Sequence, residues 1–312
     1  MRRVAAVDCG TNTIRLLVAD IDADTGRQDS LVRELRIVRL GQDVDRTGRF
    51  AADALERVFT AVEQYADIVA AHHVDAMRFV ATSAARDAGN GEAFLDGVAA
   101  RFPVRPEVIT GDEEARLSFD GATRTLTAAP EPVAVVDIGG GSTELVVGVT
   151  GRVDAARSLD IGSVRLTERL MPSDPPTSAE VDAATRAVDE ALATLPSYGV
   201  QVGDAPTLVG VAGTVTTVGM LLLGLDHWDR ERVHQASFPA ADVHDLVKRL
   251  LAMTVADRQA LGVPAGRGDV IGAGGLILDR VLRGSGAERL VVSDADILDG
   301  IAWSVARPPE PA

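Results

Sequence analysis

The sequence predicts an α/β protein built from two similar domains, and three observations carry that prediction. The segment VAAVDCGTNTIRLLV (4–18) recurs as VAVVDIGGGSTELVV (133–147), at an offset of 129 residues and with 7 of 15 positions identical. Short apolar runs alternate with segments of helical period in both halves. A length of 312 residues is long for one core but sufficient for two domains of roughly 120–190 residues.

In chain order, the first copy of the repeat predicts two strands and a tight turn. Its small residues Gly10, Thr11, Asn12 and Thr13 expose backbone N–H groups. A polar turn (22–28) leads to the apolar-patterned LVRELRIVRLG (31–41). Leu55, Val58, Phe59, Val62, Ala66 and Val69 form one stripe of a helix over 53–71. A strand over 77–82, a helix near 91–101, a strand near 104–110 and a helix opening at Gly111 follow. The Pro/Ala-rich TAAPEP (127–132) marks the domain boundary, which gives domains 1–126 and 127–312. The second copy of the repeat carries Gly139, Gly140, Gly141, Ser142 and Thr143 in its turn. A helix over 177–196 opens with a capping box, Thr177 to Glu180, after Pro175 and Pro176. A strand over 207–213 ends in a further Gly/Thr turn. Helices are predicted over 240–253, 267–283 and 294–305, with a strand over 289–294 before the last. The tail RPPEPA reads as disordered.

Composition narrows the function. The net charge is −15, from 31 basic and 46 acidic residues, which excludes a broad basic surface for nucleic acid or an acidic membrane. No apolar run reaches the ~20 residues of a membrane span, and the basic N-terminus runs straight into the first repeat rather than into a signal peptide. The single cysteine, Cys9, precludes an intrachain disulfide and fits a reducing cytoplasm. The single lysine, Lys248, sits in an amphipathic stretch away from every Gly-rich turn, which argues against a Walker-type or Schiff-base lysine. His72, His73, His227, His234 and His244 show no zinc spacing, and no GxSxG is present.

The residues that remain point to phosphate. Two facing copies of the repeat would clamp a phosphorylated ligand in a cleft. Asp8 and Asp137, at the mouth of the clamp, could bind a hydrated divalent cation. Three consecutive glycines are conformationally costly and expected where a ligand approaches the main chain; an ordinary hairpin turn does not need them. In TGDEEARLSF (110–119), Asp112, Glu113 and Glu114 open a helix, where acids also complement the helix dipole. Glu114 shares the face of Leu117 and is the one expected to turn inward. In ATSAARDAGN (81–90), Arg86 suits a phosphate oxygen or a solvated surface. VAGTVTT (211–217), with Gly213 and Thr214, reads as a cradle for a further phosphate or ribose, or as a plain strand-to-helix turn with Thr caps.

Taken together, VDCGTNTIRLLVAD, ATSAARDA, GDEEARLSFDGA, VVDIGGGSTELVVG, IGSVRLTE, VAGTVTT, LGVPAGRGDVIGAGGLIL and VVSDADILDGI occur in order over about residues 3–305. The chain resembles the exopolyphosphatase/guanosine pentaphosphate phosphohydrolase (Ppx/GppA) family in its short, two-domain form. The resemblance implies two actin-like (ribonuclease H-like) α/β domains of the sugar kinase, heat-shock chaperone and actin superfamily, with an interdomain cleft. It implies hydrolysis of the terminal phosphate of inorganic polyphosphate, or of the 5′ γ-phosphate of guanosine pentaphosphate. By position, Glu114 resembles the family's catalytic base, Glu144 a second active-site acid and Arg86 the cleft arginine. Asp137 resembles the Mg²⁺-associated aspartate, with Asp8 facing it. Gly10 to Thr13 resemble the first phosphate turn and Gly139 to Thr143 the second. Without a lysine in place, arginines such as Arg267, Arg15, Arg116 or Arg165 are expected to join Arg86 on the polyanion.

The resemblance also has departures and open ends. Where the family often has GGT, this chain has Val211-Ala212-Gly213-Thr214, so that turn is expected to be altered. Longer members carry a further C-terminal helical region linked to processivity; its lack implies a preference for short chains. A monovalent cation such as K⁺ beside Mg²⁺ and a homodimeric state are left open. Few aromatics are available to stack a base, which favours polyphosphate over the nucleotide. A sugar-kinase reading lacks an acceptor site, and a non-catalytic alarmone-binding sensor is the rival from another class.

Overall fold

The computed structural model describes residues 1–127 and 129–306, so the RPPEPA tail (307–312) lies outside the described residues. The chain forms two compact units, Met1–Leu117 with Ile297–Ala312, and Ser118–Asp296. In the first unit, strands β1 (Arg2–Cys9), β2 (Thr13–Asp22), β3 (Arg27–Ile37), β4 (Ala76–Ala81) and β5 (Glu107–Val108) form a sheet in the order β3-β2-β1-β4-β5. In the second, β6 (Val133–Ile138), β7 (Thr143–Val149), β8 (Arg152–Leu159), β9 (Thr207–Val211), β10 (Ser237–Pro239) and β11 (Arg289–Val292) are ordered β10-β11-β9-β6-β7-β8. In each sheet an antiparallel meander of three strands continues into parallel neighbours, β1 to β4 and β6 to β9.

The repeat in the sequence is a repeat in the register. Asp8 lies opposite Arg15 and Asp137 opposite Glu144, each pair related by the same offset of 129. The register shifts between Val18 and Ala19 in the first meander and between Val147 and Gly148 in the second, again at matching places. Such bulges increase the local twist of a strand pair.

Burial explains why β1 and β6 read as nearly continuous apolar runs: both faces of each are covered. On one face of the first sheet Ala5, Val7, Ile14, Leu16 and Val18 pack with Val58, Val62, Tyr65 and Val69 of the helix Ala52–His72. Tyr65 is fully buried and its hydroxyl donates to Ile14 O at 3.1 Å. On the other face Val4, Ala6, Leu17, Ala19 and Ile21 pack with Ile297, Leu298, Ile301 and Trp303 of the helix Ile297–Ala306. The largest cluster fills the second unit, around Val136, Leu145, Leu208, Val218, Leu246 and Ile277.

The expected cut into 1–126 and 127–312 does not describe these units. Their boundary falls inside the helix Gly111–Arg124, and the final helix packs back on the first sheet because its apolar face completes that core. Asp299 on this helix is bound there by Arg33 at 2.8 Å and by Gln28 at 2.7 Å. The expected strand near 104–110 shrinks to Glu107–Val108. The helices expected from 267 and 294 begin at Ile271 and Ile297, after turns held by Arg267 N–H to Pro264 O and by Ser293 Oγ to Ala295 O. The capping box at Thr177 and Glu180 forms as expected.

Candidate active site

Each hairpin turn is built so that its carbonyls are occupied from behind. In the first, Gly10 N–H closes on Thr13 O at 2.9 Å. Asn12 O accepts from the amides of Val38 and Arg39, and Thr11 O from Gly41. In the second, Gly139 N–H closes on Ser142 O at 3.0 Å. Gly139 O then accepts from Ser163 N–H, and Gly140 O from Val164 and Arg165 N–H. Arg165 Nε adds a bond to Gly141 O at 2.7 Å. Turns whose carbonyls are taken up by neighbouring amides are the kind of backbone that can offer its own amides to an anion, as in a nest. A glycine backs each turn at contact distance: a Cβ on Gly41 would stand 2.2 Å from Thr11, and one on Gly162 2.4 Å from Gly140 O.

The acids beside the turns differ. Asp8 is buried and accepts from Arg15 Nη2 at 2.6 Å and Nε at 3.0 Å. In the second unit no arginine stands across from the aspartate: Glu144 does. Both acids are buried. Ser118 Oγ donates to Asp137 at 2.5 Å, and Ser158 Oγ to Glu144 at 2.7 Å.

The structure brings together two segments that the sequence keeps apart. Arg86 Nη1 donates to Glu114 Oε2 at 2.8 Å and to Ile109 O at 3.1 Å. Of the three acids that open the helix, Asp112 is exposed, Glu113 pairs with Arg78, and Glu114 turns inward with only 8% exposure. Burial pushes the Glu114 carboxyl above its ordinary pKa; Arg86 and Thr82 oppose this shift, and the negative charge of Asp8 adds to it. A carboxyl raised in this way holds a proton more tightly than an ordinary carboxylate does, which suits a proton acceptor.

Gly213 and Thr214 open the helix Ala212–Leu222, and Arg267 reaches the same turn. Its guanidinium lies against Gly213, where a Cβ would stand 1.3 Å from Nη1. The altered residue Ala212 adopts φ 65°, a left-handed conformation that glycine takes without penalty. Thr214 is buried against Gly274. Arg116, in contrast, points to solvent. Sequence reasoning did not single out Thr82, Ser118 or Ser158. Ser118 follows Glu114 by one helical turn, a spacing that could have flagged it.

Among the described residues no group of three or more His, Cys, Asp or Glu forms a metal cluster. Mg²⁺ does not require one, because it retains waters and substrate oxygens beside one or two carboxylates. Asp137 with Glu144 offers the hard oxygen donors that suit it, and Arg15 engages only one oxygen of Asp8, Oδ2.

Comparison with known proteins places the chain in a family. The model of the Ppx/GppA phosphatase family matches residues 17–306. The chain is a member of the Ppx/GppA phosphatase family. Exopolyphosphatase 2 of Mycobacterium tuberculosis (strain ATCC 25618 / H37Rv) is 47% identical over 322 residues, covering 98% of this chain and 99% of that protein. A crystal structure of an exopolyphosphatase-like protein superposes with a TM-score of 0.93 at 43% identity, covering 97% of both chains. The Aquifex aeolicus PPX-GPPA enzyme gives 0.82 at 32% identity, covering 97% of this chain and 99% of its own. The fold is accordingly the two-unit α/β fold of Ppx/GppA proteins. Among the described residues no helix is long and apolar enough to cross a membrane.

Proposed function

We propose that this Ppx/GppA protein is an exopolyphosphatase that removes the terminal phosphate of inorganic polyphosphate by direct attack of water. The observation that carries the reading is the buried carboxyl of Glu114, held by Arg86 and poised to accept a proton. The name of the mycobacterial relative supports the choice of substrate.

In this reading the turns Gly10–Thr13 and Gly139–Thr143 bind phosphoryl oxygens through backbone amides, and Arg267 with Gly213 and Thr214 binds further phosphates of the chain. Glu114 orients a water and accepts its proton as the oxygen attacks the terminal phosphorus. The bond from phosphorus to the bridging oxygen breaks, orthophosphate leaves, and the polymer is one unit shorter. Arg86 keeps Glu114 fixed and adds positive charge where charge develops. Mg²⁺ held by Asp137, with Glu144 across the strand pair, would supply electrostatic stabilisation of the phosphoryl group, and Asp8 is the matching acid of the first hairpin.

The test is phosphate release from short polyphosphate, long polyphosphate, guanosine pentaphosphate and ATP, with and without Mg²⁺. A general base contributes about 10²–10⁴-fold. Glu114→Gln should therefore lose at least about a hundredfold in kcat on polyphosphate while retaining substrate binding. Full activity of that variant removes Glu114 from the mechanism. Release from guanosine pentaphosphate alone would reassign the activity to the nucleotide, and tight binding without any turnover would favour a sensor.

A further inference from the structure

Arg258 is a buried arginine that no phosphate turn contains. It lies on the short helix Val255–Ala260, opened by a capping box between Thr254 and Asp257, and is 3% exposed. Its Nε donates to Leu250 O at 2.8 Å, at the end of the helix Ala240–Leu251, and its Nη1 to Gly268 O at 3.0 Å. Nη2 is buried beside Gly272 without a hydrogen-bond partner; a Cβ on Gly272 would approach it to 3.0 Å. Burial disfavours the charge of Arg258, and the carboxylates of Asp174 and Asp269 oppose that effect. An arginine kept in so confined a place, with its fork spent on two main-chain carbonyls, fixes backbone rather than solvates a surface.

The backbone it fixes carries Arg267. Gly268 O is the carbonyl next in the chain, and the turn is closed by Arg267 N–H to Pro264 O at 2.8 Å and Ile271 N–H to Arg267 O at 2.9 Å. Gln259, the neighbour of Arg258, donates from Nε2 to Ala265 O in the same turn. At the far end of the Arg267 side chain the guanidinium meets Gly213 with no room for a Cβ between them. The 264–270 backbone is thus the base from which the Arg267 guanidinium reaches Gly213.

We infer that Arg258 is a positioning residue: its double bond to Leu250 O and Gly268 O sets the turn that holds the Arg267 guanidinium against Gly213. The inference rests on the reading of Arg267 as a polyphosphate-binding group. Arg258→Lys retains the charge but cannot bridge both carbonyls along two fixed directions.

The experiment is a double-mutant cycle of Arg258→Lys and Arg267→Ala on the full chain, read as KM and kcat for polyphosphate, with thermal unfolding as the control for folding. A group that acts through uniform binding changes KM and leaves kcat in place. The expected outcome is a rise in KM of about tenfold for Arg258→Lys with kcat nearly unchanged, and no further rise when it is added to Arg267→Ala. Equal effects of Arg258→Lys in both backgrounds would overturn the inference, as would an unchanged KM in a folded variant. A second readout needs no substrate: the arginine Nε–H resonances in ¹⁵N spectra, with that of Arg267 assigned by its loss in Arg267→Ala. Arg258→Lys should shift or broaden that resonance. If the resonance moves while Arg267→Ala leaves KM unaltered, the positioning stands and the substrate role of Arg267 fails. If it does not move, the positioning itself fails. Should Arg258→Lys not fold, Gly268→Ala, whose Cβ would press on Gln259 and Val255 at 3.2 Å, perturbs the same turn and takes its place in the cycle.

Discussion

The two hairpins share a backbone and differ in charge. Both close with the same amide-to-carbonyl bond, both have their carbonyls tied from behind, and both carry a bulge at the same offset. Yet the residue across from the aspartate is Arg15 in the first and Glu144 in the second. In the first hairpin Arg15 binds one carboxylate oxygen of Asp8, Oδ2, through both Nε and Nη2. The second places two carboxylates on neighbouring strands, where like charges repel unless a cation lies close by. The closing bond and the tied carbonyls are thus the shared part of the repeat, and the acid pair is what distinguishes the second copy.

The largest expected effect comes from making the second hairpin less acidic. Glu144→Gln keeps the shape and the contact with Ser158 but removes one charge. Turnover of polyphosphate should fall by about a hundredfold or more, the scale of losing one electrostatic group of an active site, and the melting temperature should stay within a few degrees. Steady-state kinetics across an Mg²⁺ titration check this. An unchanged rate at every Mg²⁺ concentration would show that the difference between the hairpins has no catalytic meaning.

Next in size is the opposite change in the first hairpin. Arg15→Met leaves the buried Asp8 carboxylate without its guanidinium, and breaking a buried pair from one side costs about 3 kcal/mol. Urea unfolding should show this loss at neutral pH. A loss below about 1 kcal/mol would place the pair among exposed ion pairs and undo the contrast drawn with Glu144.

A smaller effect separates the two strand-to-helix turns. Beside β4 the turn passes through Thr82 at φ −114°, whereas beside β9 it passes through Ala212 at φ 65°. A non-glycine residue in the left-handed region costs about 1–2 kcal/mol, part of which glycine gives back as backbone entropy. Ala212→Gly should therefore stabilise the protein by about 0.5–1 kcal/mol. Thr82→Gly should destabilise it, since its backbone gains nothing and a contact to Glu114 is lost. A destabilised Ala212→Gly would mean that the Ala212 methyl group makes packing contacts that outweigh the strain.

Much of this arrangement could be read from the sequence, and the unread part has a common cause. The hairpins, the Thr177 capping box and the inward turn of Glu114 depend on residues within one or two turns of one another, where periodicity and turn chemistry carry the signal. The Arg15 and Glu144 contrast was present in the aligned repeat, but its meaning required the strand register. The pairing of Arg86 with Glu114 and the hold of Arg258 on Gly268 O depend on how distant or irregular segments pack, which no local pattern encodes. The return of helix Ile297–Ala306 to the first sheet is of the same kind. Its apolar face signals burial but not which core it completes.

The smallest effect concerns a sign more than a size, and it isolates the acid that belongs to neither hairpin. Glu114 has its pKa raised in the folded protein, mainly by burial. A carboxyl that binds its proton more tightly when folded opposes folding once it ionises. That penalty is absent at low pH, where Glu114 is protonated in both states. It grows as pH rises past the ordinary carboxyl value and is complete above the raised one. Glu114→Gln has no proton to lose and can still accept from Arg86. In metal-free protein its melting temperature relative to wild type should therefore rise from acid to neutral pH. Thermal unfolding of both proteins over that range decides the matter. A difference that instead turns against Gln as pH rises would show that the ion pair with Arg86 outweighs burial, and that Glu114 resembles the arginine-paired Asp8 more than a base held ready for a proton.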